Sequence, residues 1–266
     1  MIRQAAAALG AALVVAACAA RLAGVSPSAA VAEVAVYAAA SLTIPLESVR
    51  SAYESSQPGV RLTLAFDSSA ALRTKIEQGA PADVFLSADL GNPQRLVDAG
   101  LAVSPVIEFA GNHLTIVIPN ANPGAIDTPA DLARPGVRIV AAGEQVPITA
   151  YATQLLTQLG ALPGYPADFA SAYAANVVSQ EDNARAIVAK LELGEADAGI
   201  VYVTDAVGSD ELSTVALPPG VAVTATYGGV AVVASARSSE GPTFLSWLAG
   251  PEGQAILAGF GFVAPA

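Results

Sequence analysis

Val60-Arg61-Leu62-Thr63-Leu64-Ala65-Phe66-Asp67-Ser68-Ser69-Ala70-Ala71-Leu72 changes its period in mid-course. Residues 60–66 alternate, which predicts a strand. Residues 70–78 have helical spacing, with Gly79 as a stop. Serines stand at the junction. The same grammar occurs earlier, with a strand over 33–37, a helix over 42–54, and Ala38-Ala39-Ala40-Ser41-Leu42-Thr43 at their junction. A helix start carries unpaired backbone N–H groups and the positive end of the helix dipole. A serine hydroxyl there adds a donor. Two such starts facing one another make a cradle for a small, fully ionised oxyanion, with no cationic side chain in it. The other reading is plain helix capping, the usual role of serine at a helix start.

Outward from this block the alternation continues. Strands are expected over 84–87, 113–119, 137–141, 198–202 and 229–234. Helices are expected over 94–99, 128–132, 149–159, 182–193, 242–247 and 251–258, with Gly100, Gly160 and Gly194 as stops. This order predicts an α/β fold with a largely parallel sheet. Ligands of open α/β sheets sit at the carboxyl ends of strands. Ser41, Ser69, residues 146–150, residues 181–183 and Tyr202 all fall at or near strand–helix junctions.

The first 17 residues read as a targeting segment. Arg3 is its one charge, and the apolar stretch over 5–17 is too short to span a membrane. It ends in Val15-Ala16-Ala17-Cys18, which resembles a bacterial lipobox, where the signal is cut before a cysteine that then takes lipid. Cys18 is the one cysteine, so no intrachain disulfide can form. A plain secretory signal with an incidental cysteine is the other reading. Residues 18–31, rich in alanine, serine, glycine and proline, read as a tether. An extracytoplasmic protein held to the cell membrane by lipid on Cys18 is expected.

The net charge is −11, and there is no basic stripe to neutralise phosphates, which argues against nucleic acid as a partner. An enzyme is hard to build from this inventory. His113 is the single histidine and begins a predicted strand. No nucleophile elbow, His-Glu-x-x-His run or phosphate-binding loop is present. No cofactor is expected, and metal centres with several His or Cys ligands are ruled out by count.

The chain resembles the periplasmic molybdate-binding proteins of ABC transporters, the ModA family. The likeness rests on residues 38–43, on 66–69 through Ile76-Glu77-Gln78-Gly79-Ala80-Pro81-Ala82-Asp83-Val84-Phe85-Leu86-Ser87-Ala88-Asp89, on Val146-Pro147 with Ala150-Tyr151-Ala152, on Glu181-Asp182, and on Gly199-Ile200-Val201-Tyr202 with Asp205-Ala206. It implies a two-lobed type II periplasmic-binding-protein fold, each lobe a mainly parallel sheet flanked by helices, joined by two crossing strands. Lobe 1 would take 32–112 and 226–266, lobe 2 113–225, with the crossings within 113–119 and 226–234. The protein would capture molybdate, and tungstate of nearly the same size, for the permease of an ABC importer, acting as a monomer. Ser41 and Ser69 would each give a hydroxyl and a backbone N–H to the anion, Ile148 and Asn183 a backbone N–H, and Tyr202 its phenol. Departures from the family pattern stand at Asp67, Thr149 and Asn183, where a small neutral residue, a glycine and an apolar residue are expected. A relative tuned to another oxyanion such as sulfate, and a surface lipoprotein without a transport role, are the rival readings.

The donor count is adequate for such a ligand. Hydrogen bonds to a charged group contribute ~1.5–3 kcal/mol each, so six or seven give on the order of 10–20 kcal/mol gross. Nanomolar binding needs about 12 kcal/mol net. Sulfate shares the charge and shape, so cavity size must separate it from molybdate.

Overall fold

The computed structural model describes residues 31–233 and 239–265. The expected signal segment, Cys18, the tether up to residue 30 and the end of the strand expected over 229–234 lie outside the described residues.

The chain runs β1 (Ala32–Ala39), a 3-10 turn (Ala40–Leu42), α1 (Thr43–Ser56), β2 (Val60–Asp67), α2 (Ser69–Glu77), β3 (Val84–Ser87) and α3 (Gly91–Asp98). It continues through β4 (Ile107–Pro119), a second 3-10 turn (Pro129–Ala133), β5 (Ile139–Ala142), α4 (Pro147–Gly160), α5 (Phe169–Ala175), β6 (Val177–Glu181), α6 (Ala184–Glu192), β7 (Ala198–Tyr202) and α7 (Val203–Ala206). It closes with β8 (Leu212–Val215), β9 (Thr224–Ala231), α8 (Glu240–Ala249) and α9 (Pro251–Gly259).

Among the described residues the strands follow the order β2-β1-β3-β9-β4-β7-β5-β6, with β8 also on β4. The parallel pairs, β1 with β2 and β3 and β5 with β6 and β7, lie in the two outer blocks. Every antiparallel pair involves β4 or β9. β4 joins the blocks. Up to His113 it pairs with β9, and from Leu114 it pairs with β7. The fold is thus the α/β, two-lobed type II architecture, with a parallel sheet in each lobe and antiparallel strands between them.

Packing explains the layers. On β3, Val84 and Leu86 enter the main core with Leu46, Val49 and Tyr53 of α1. Phe85 points to the opposite face and packs with Leu72, Ile76 and Leu96 of α2 and α3. The two-residue period of a strand therefore clothes both faces with helices. Each fully buried Leu or Phe contributes ~1.5–3 kcal/mol of transfer free energy. Gly79 and Gly194 end α2 and α6 with φ of +91° and +72°, a left-handed conformation that favours glycine. Gly160, expected to follow its helix, is instead the last helical residue of α4.

Several elements differ from the sequence expectation, and α5, β6, α7 and β8 were not expected at all. β4 starts six residues before His113, because its first half runs through a bulge at Glu108/Ala110 and the weak strand formers Ala110, Gly111 and Asn112. The helix expected from residue 182 begins at Ala184, with Asn183 as its cap. The edge strand β6, Val-Val-Ser-Gln-Glu, carries no clear alternation and pairs only with β5, so its period is hidden.

Candidate functional site

The carboxyl ends of β1, β2, β3, β6 and β7 and the loop after β5 converge. There Ser41, Ser69, Ile148, Asn183 and Tyr202 line one cavity with Ala39, Ala40, Ser68, Ala88, Val146, Pro147 and Ala184. Its volume is about 20 Å³, room for about one water-sized group. Among the described residues no charged side chain lines it. A wider cavity of about 620 Å³ adjoins it through Ser68 and Val146. That outer space carries Arg73 and Lys75 on one side and Glu144, Glu181 and Asp182 on the other.

The serines divide their labour. Ser68 is the N-cap of α2, and its Oγ accepts from the Ala71 N–H at 3.2 Å. This frees Ser69, 1% exposed, from capping. Ser69 Oγ instead accepts from the Ala88 N–H at 3.0 Å, so its own proton is left to donate elsewhere. Ser41 does not cap either. It sits in the first 3-10 turn with its Oγ 2.9 Å from the Tyr227 hydroxyl. The capping reading therefore fails for both.

From the other lobe come two helix starts and a phenol. Ile148 is the second residue of α4, a 14-residue helix whose first N–H groups lack intrahelical acceptors. Asn183 caps α6, its Oδ1 accepting from the Ala186 N–H at 3.0 Å. Its side-chain oxygen is therefore committed to the helix. Tyr202 ends β7 buried, and its hydroxyl has no hydrogen-bond partner among the described residues. Burial, foremost, with the nearby Tyr227 and other groups, pushes its pKa well above the usual value, so it holds its proton as a donor.

The departures from the family pattern find local partners. Asp67 turns from the cavity: Oδ2 meets Lys75 Nζ at 2.7 Å and Oδ1 accepts from the Ser68 N–H at 2.8 Å. Thr149 Oγ1 donates to the carbonyls of Ala142 and Gly143 at 3.1 and 2.8 Å, tying α4 to the preceding loop. Asp67→Ala should therefore change the affinity of an anion in this cavity by less than about twofold. Tenfold tightening in titration calorimetry would put the carboxylate at the cavity instead.

Two buried residues near the site escaped sequence reasoning. Tyr227 lies in β9, and the signal was a tyrosine within an otherwise small and apolar run. Asn112 lies in β4, and nothing in the sequence marks it. Asp205, already part of the motif that follows Tyr202, lies on α7, 1% exposed, with Arg185 of α6 4.0 Å away. Among the described residues neither of its oxygens has a hydrogen-bond partner. Burial pushes its pKa up to about 7, against the lowering by Arg185. The unfolded chain releases this proton near 4 and the folded protein near 7, so this group's contribution to stability falls as pH rises between them. Asp205→Asn should therefore gain stability relative to the unsubstituted protein between pH 5 and pH 8 in urea unfolding. An equal difference at both pH values would show that the carboxylate does not titrate there.

A two-lobed α/β frame, with a small uncharged cavity of hydroxyls and helix starts between the facing strand ends, defines a solute-binding protein. The profile of the bacterial extracellular solute-binding protein family matches residues 34–263, and the chain belongs to that family. The molybdate-binding protein ModA of Mycobacterium tuberculosis H37Rv is 30% identical over 87% of this chain and 85% of its own length. ModA of Escherichia coli K12 is 32% identical over 86% and 88%. Among solved structures, the periplasmic molybdate-binding protein of Azotobacter vinelandii superposes with a TM-score of 0.72 at 26% identity, covering 88% of this chain and all of that one. The family is one of binding proteins and not of enzymes.

Proposed function

We propose that this protein is the extracytoplasmic receptor that captures molybdate, and tungstate with it, and delivers it to an ABC importer. The single observation that carries the reading is the donor set around the small cavity. The hydroxyls of Ser41, Ser69 and Tyr202 and the helix starts at Ile148 and Asn183 ring it, with no cationic or carboxylate side chain in the lining. Molybdate near neutral pH offers only acceptors, so a site of donors matches it. The starts of α2, α4 and α6 add the positive ends of three helix dipoles. The residues would act as hydroxyl donors at Ser41, Ser69 and Tyr202 and as N–H donors at Ser41, Ser69, Ile148 and Asn183. The lobes would be 32–112 with 226–266, and 113–225, closing over the anion about the crossing strands.

Rigid donors set for the longer metal–oxygen bonds of molybdate would bind sulfate poorly, whereas tungstate would compete. Titration calorimetry with molybdate, repeated with sulfate in excess, tests the reading. Tight one-to-one binding that sulfate barely disturbs is expected. Preference for sulfate would make the protein a receptor for that anion, and no heat with either would remove the oxyanion reading.

Lipid on Cys18 would hold the receptor at the cell membrane, since acyl chains bind at ~0.8 kcal/mol per buried methylene. Cys18→Ser should move the protein from the membrane to the soluble fraction on sedimentation. Continued sedimentation with membranes would overturn lipidation there.

A further inference from the structure

Behind Ser41 lies a buried polar chain that the binding reading does not use. Ser41 Oγ is 2.9 Å from the Tyr227 hydroxyl. The Tyr227 oxygen accepts from Asn112 Nδ2 at 3.4 Å, and the same Nδ2 donates to Thr204 Oγ1 at 2.8 Å. Tyr227 and Asn112 are both 0% exposed. The Tyr227 ring is held edge to face by Phe109, Tyr202 and Phe262 at 6.1, 5.7 and 5.4 Å. Asn112 belongs to β4 and Tyr227 to β9, the two strands that pair across the junction of the lobes.

Proton counting gives this chain a direction. With Asn112 Nδ2 turned to Thr204 and Tyr227, and its Oδ1 left without a partner among the described residues, the amide donates and the Tyr227 oxygen accepts. Tyr227 has a single proton, and burial, the largest influence, keeps it bound far above ordinary pH. That proton then goes to Ser41 Oγ. The Ser41 oxygen is thereby used as an acceptor, and the Ser41 proton is free to point into the cavity.

Resting on the molybdate reading above, we infer that Tyr227 is a positioning residue, which, held by Asn112, fixes the Ser41 hydroxyl as a donor toward the bound anion. Hydrogen bonds in such a chain polarise one another, so the last donor is strengthened by the two behind it. The same polarity discriminates against proton-bearing oxyanions. A hydrogen phosphate must place its own proton on an acceptor, and one of the two lone pairs of the Ser41 oxygen is already taken by Tyr227.

The test is a double-substitution cycle in titration calorimetry at pH 7, where essentially every phosphate ion carries a proton. The native protein, Tyr227→Phe, Ser41→Ala and the double variant are each titrated with molybdate, and the first two also with inorganic phosphate in competition. Thermal midpoints record folding. Tyr227→Phe is expected to weaken molybdate binding roughly 5- to 30-fold when Ser41 is present and less than about twofold when it is alanine. The preference for molybdate over phosphate should shrink in Tyr227→Phe. Equal losses in both backgrounds would make Tyr227 merely structural and overturn the inference. An unmoved ratio of molybdate to phosphate affinity would overturn the assigned polarity. Failure of the molybdate reading would look different: the native protein itself would not bind molybdate, and the relay would fall with it.

Discussion

Tyr202→Phe should weaken anion binding and leave the ligand-free protein about as stable. The Tyr202 hydroxyl lines the cavity and has no hydrogen-bond partner among the described residues, so its removal breaks no bond within the fold. The same hydroxyl is the proposed donor from the second lobe, and its loss should reduce molybdate affinity by roughly 1–3 kcal/mol, or about 5- to 150-fold. An ordinary core tyrosine would lose stability and leave affinity alone. Calorimetric melting without ligand, with titration of the same sample, separates the two cases. A lowered Tm with unchanged affinity would remove Tyr202 from the site.

Ser69→Ala is expected to have the larger effect of the two cavity serines. Ser69 Oγ accepts from the Ala88 N–H, so truncation removes a ligand donor and also takes the acceptor from a buried backbone group. Ser41 makes its protein contact with a hydroxyl, which can turn when Ser41 is gone. Ser69→Ala should therefore weaken molybdate binding by roughly 1.5–3 kcal/mol, about 10- to 150-fold, and also lower Tm. Ser41→Ala should weaken binding with a smaller change in Tm. The neighbouring Ser68→Ala should affect stability through the lost cap, about 1 kcal/mol, more than affinity. If Ser68→Ala instead abolished binding and Ser69→Ala did not, the roles of these adjacent serines would be exchanged.

Much of this arrangement was legible before any coordinates. The period change between Leu64 and Leu72 marks a strand feeding a helix, and the structure has β2 and α2 there. The predicted strands over 84–87 and 198–202 match β3 and β7 at both ends. The five expected site residues do line one cavity. Other parts were hidden. The first half of β4 is a crossing strand with a bulge, so its residues answer to two environments and no single period survives. The seven-residue α5 and the edge strands β6 and β8 are short, and an edge strand buries too little to write a pattern.

The sequence by itself determined the order of strands and helices, the serines at two strand–helix junctions, and a side-chain inventory poor in metal ligands and catalytic groups. These are local matters, because hydrophobic period and helix-start chemistry depend on residues a few positions apart. The tertiary structure alone decided that, of the two serines lining the cavity, Ser68 caps α2 and Ser69 does not. It turned Asp67 toward Lys75, buried Asp205 beside Arg185, and set Tyr227 behind Ser41, 186 residues away in the chain. Such choices depend on which protons and lone pairs packing brings within about 3 Å of each other, and no pattern along one element records that.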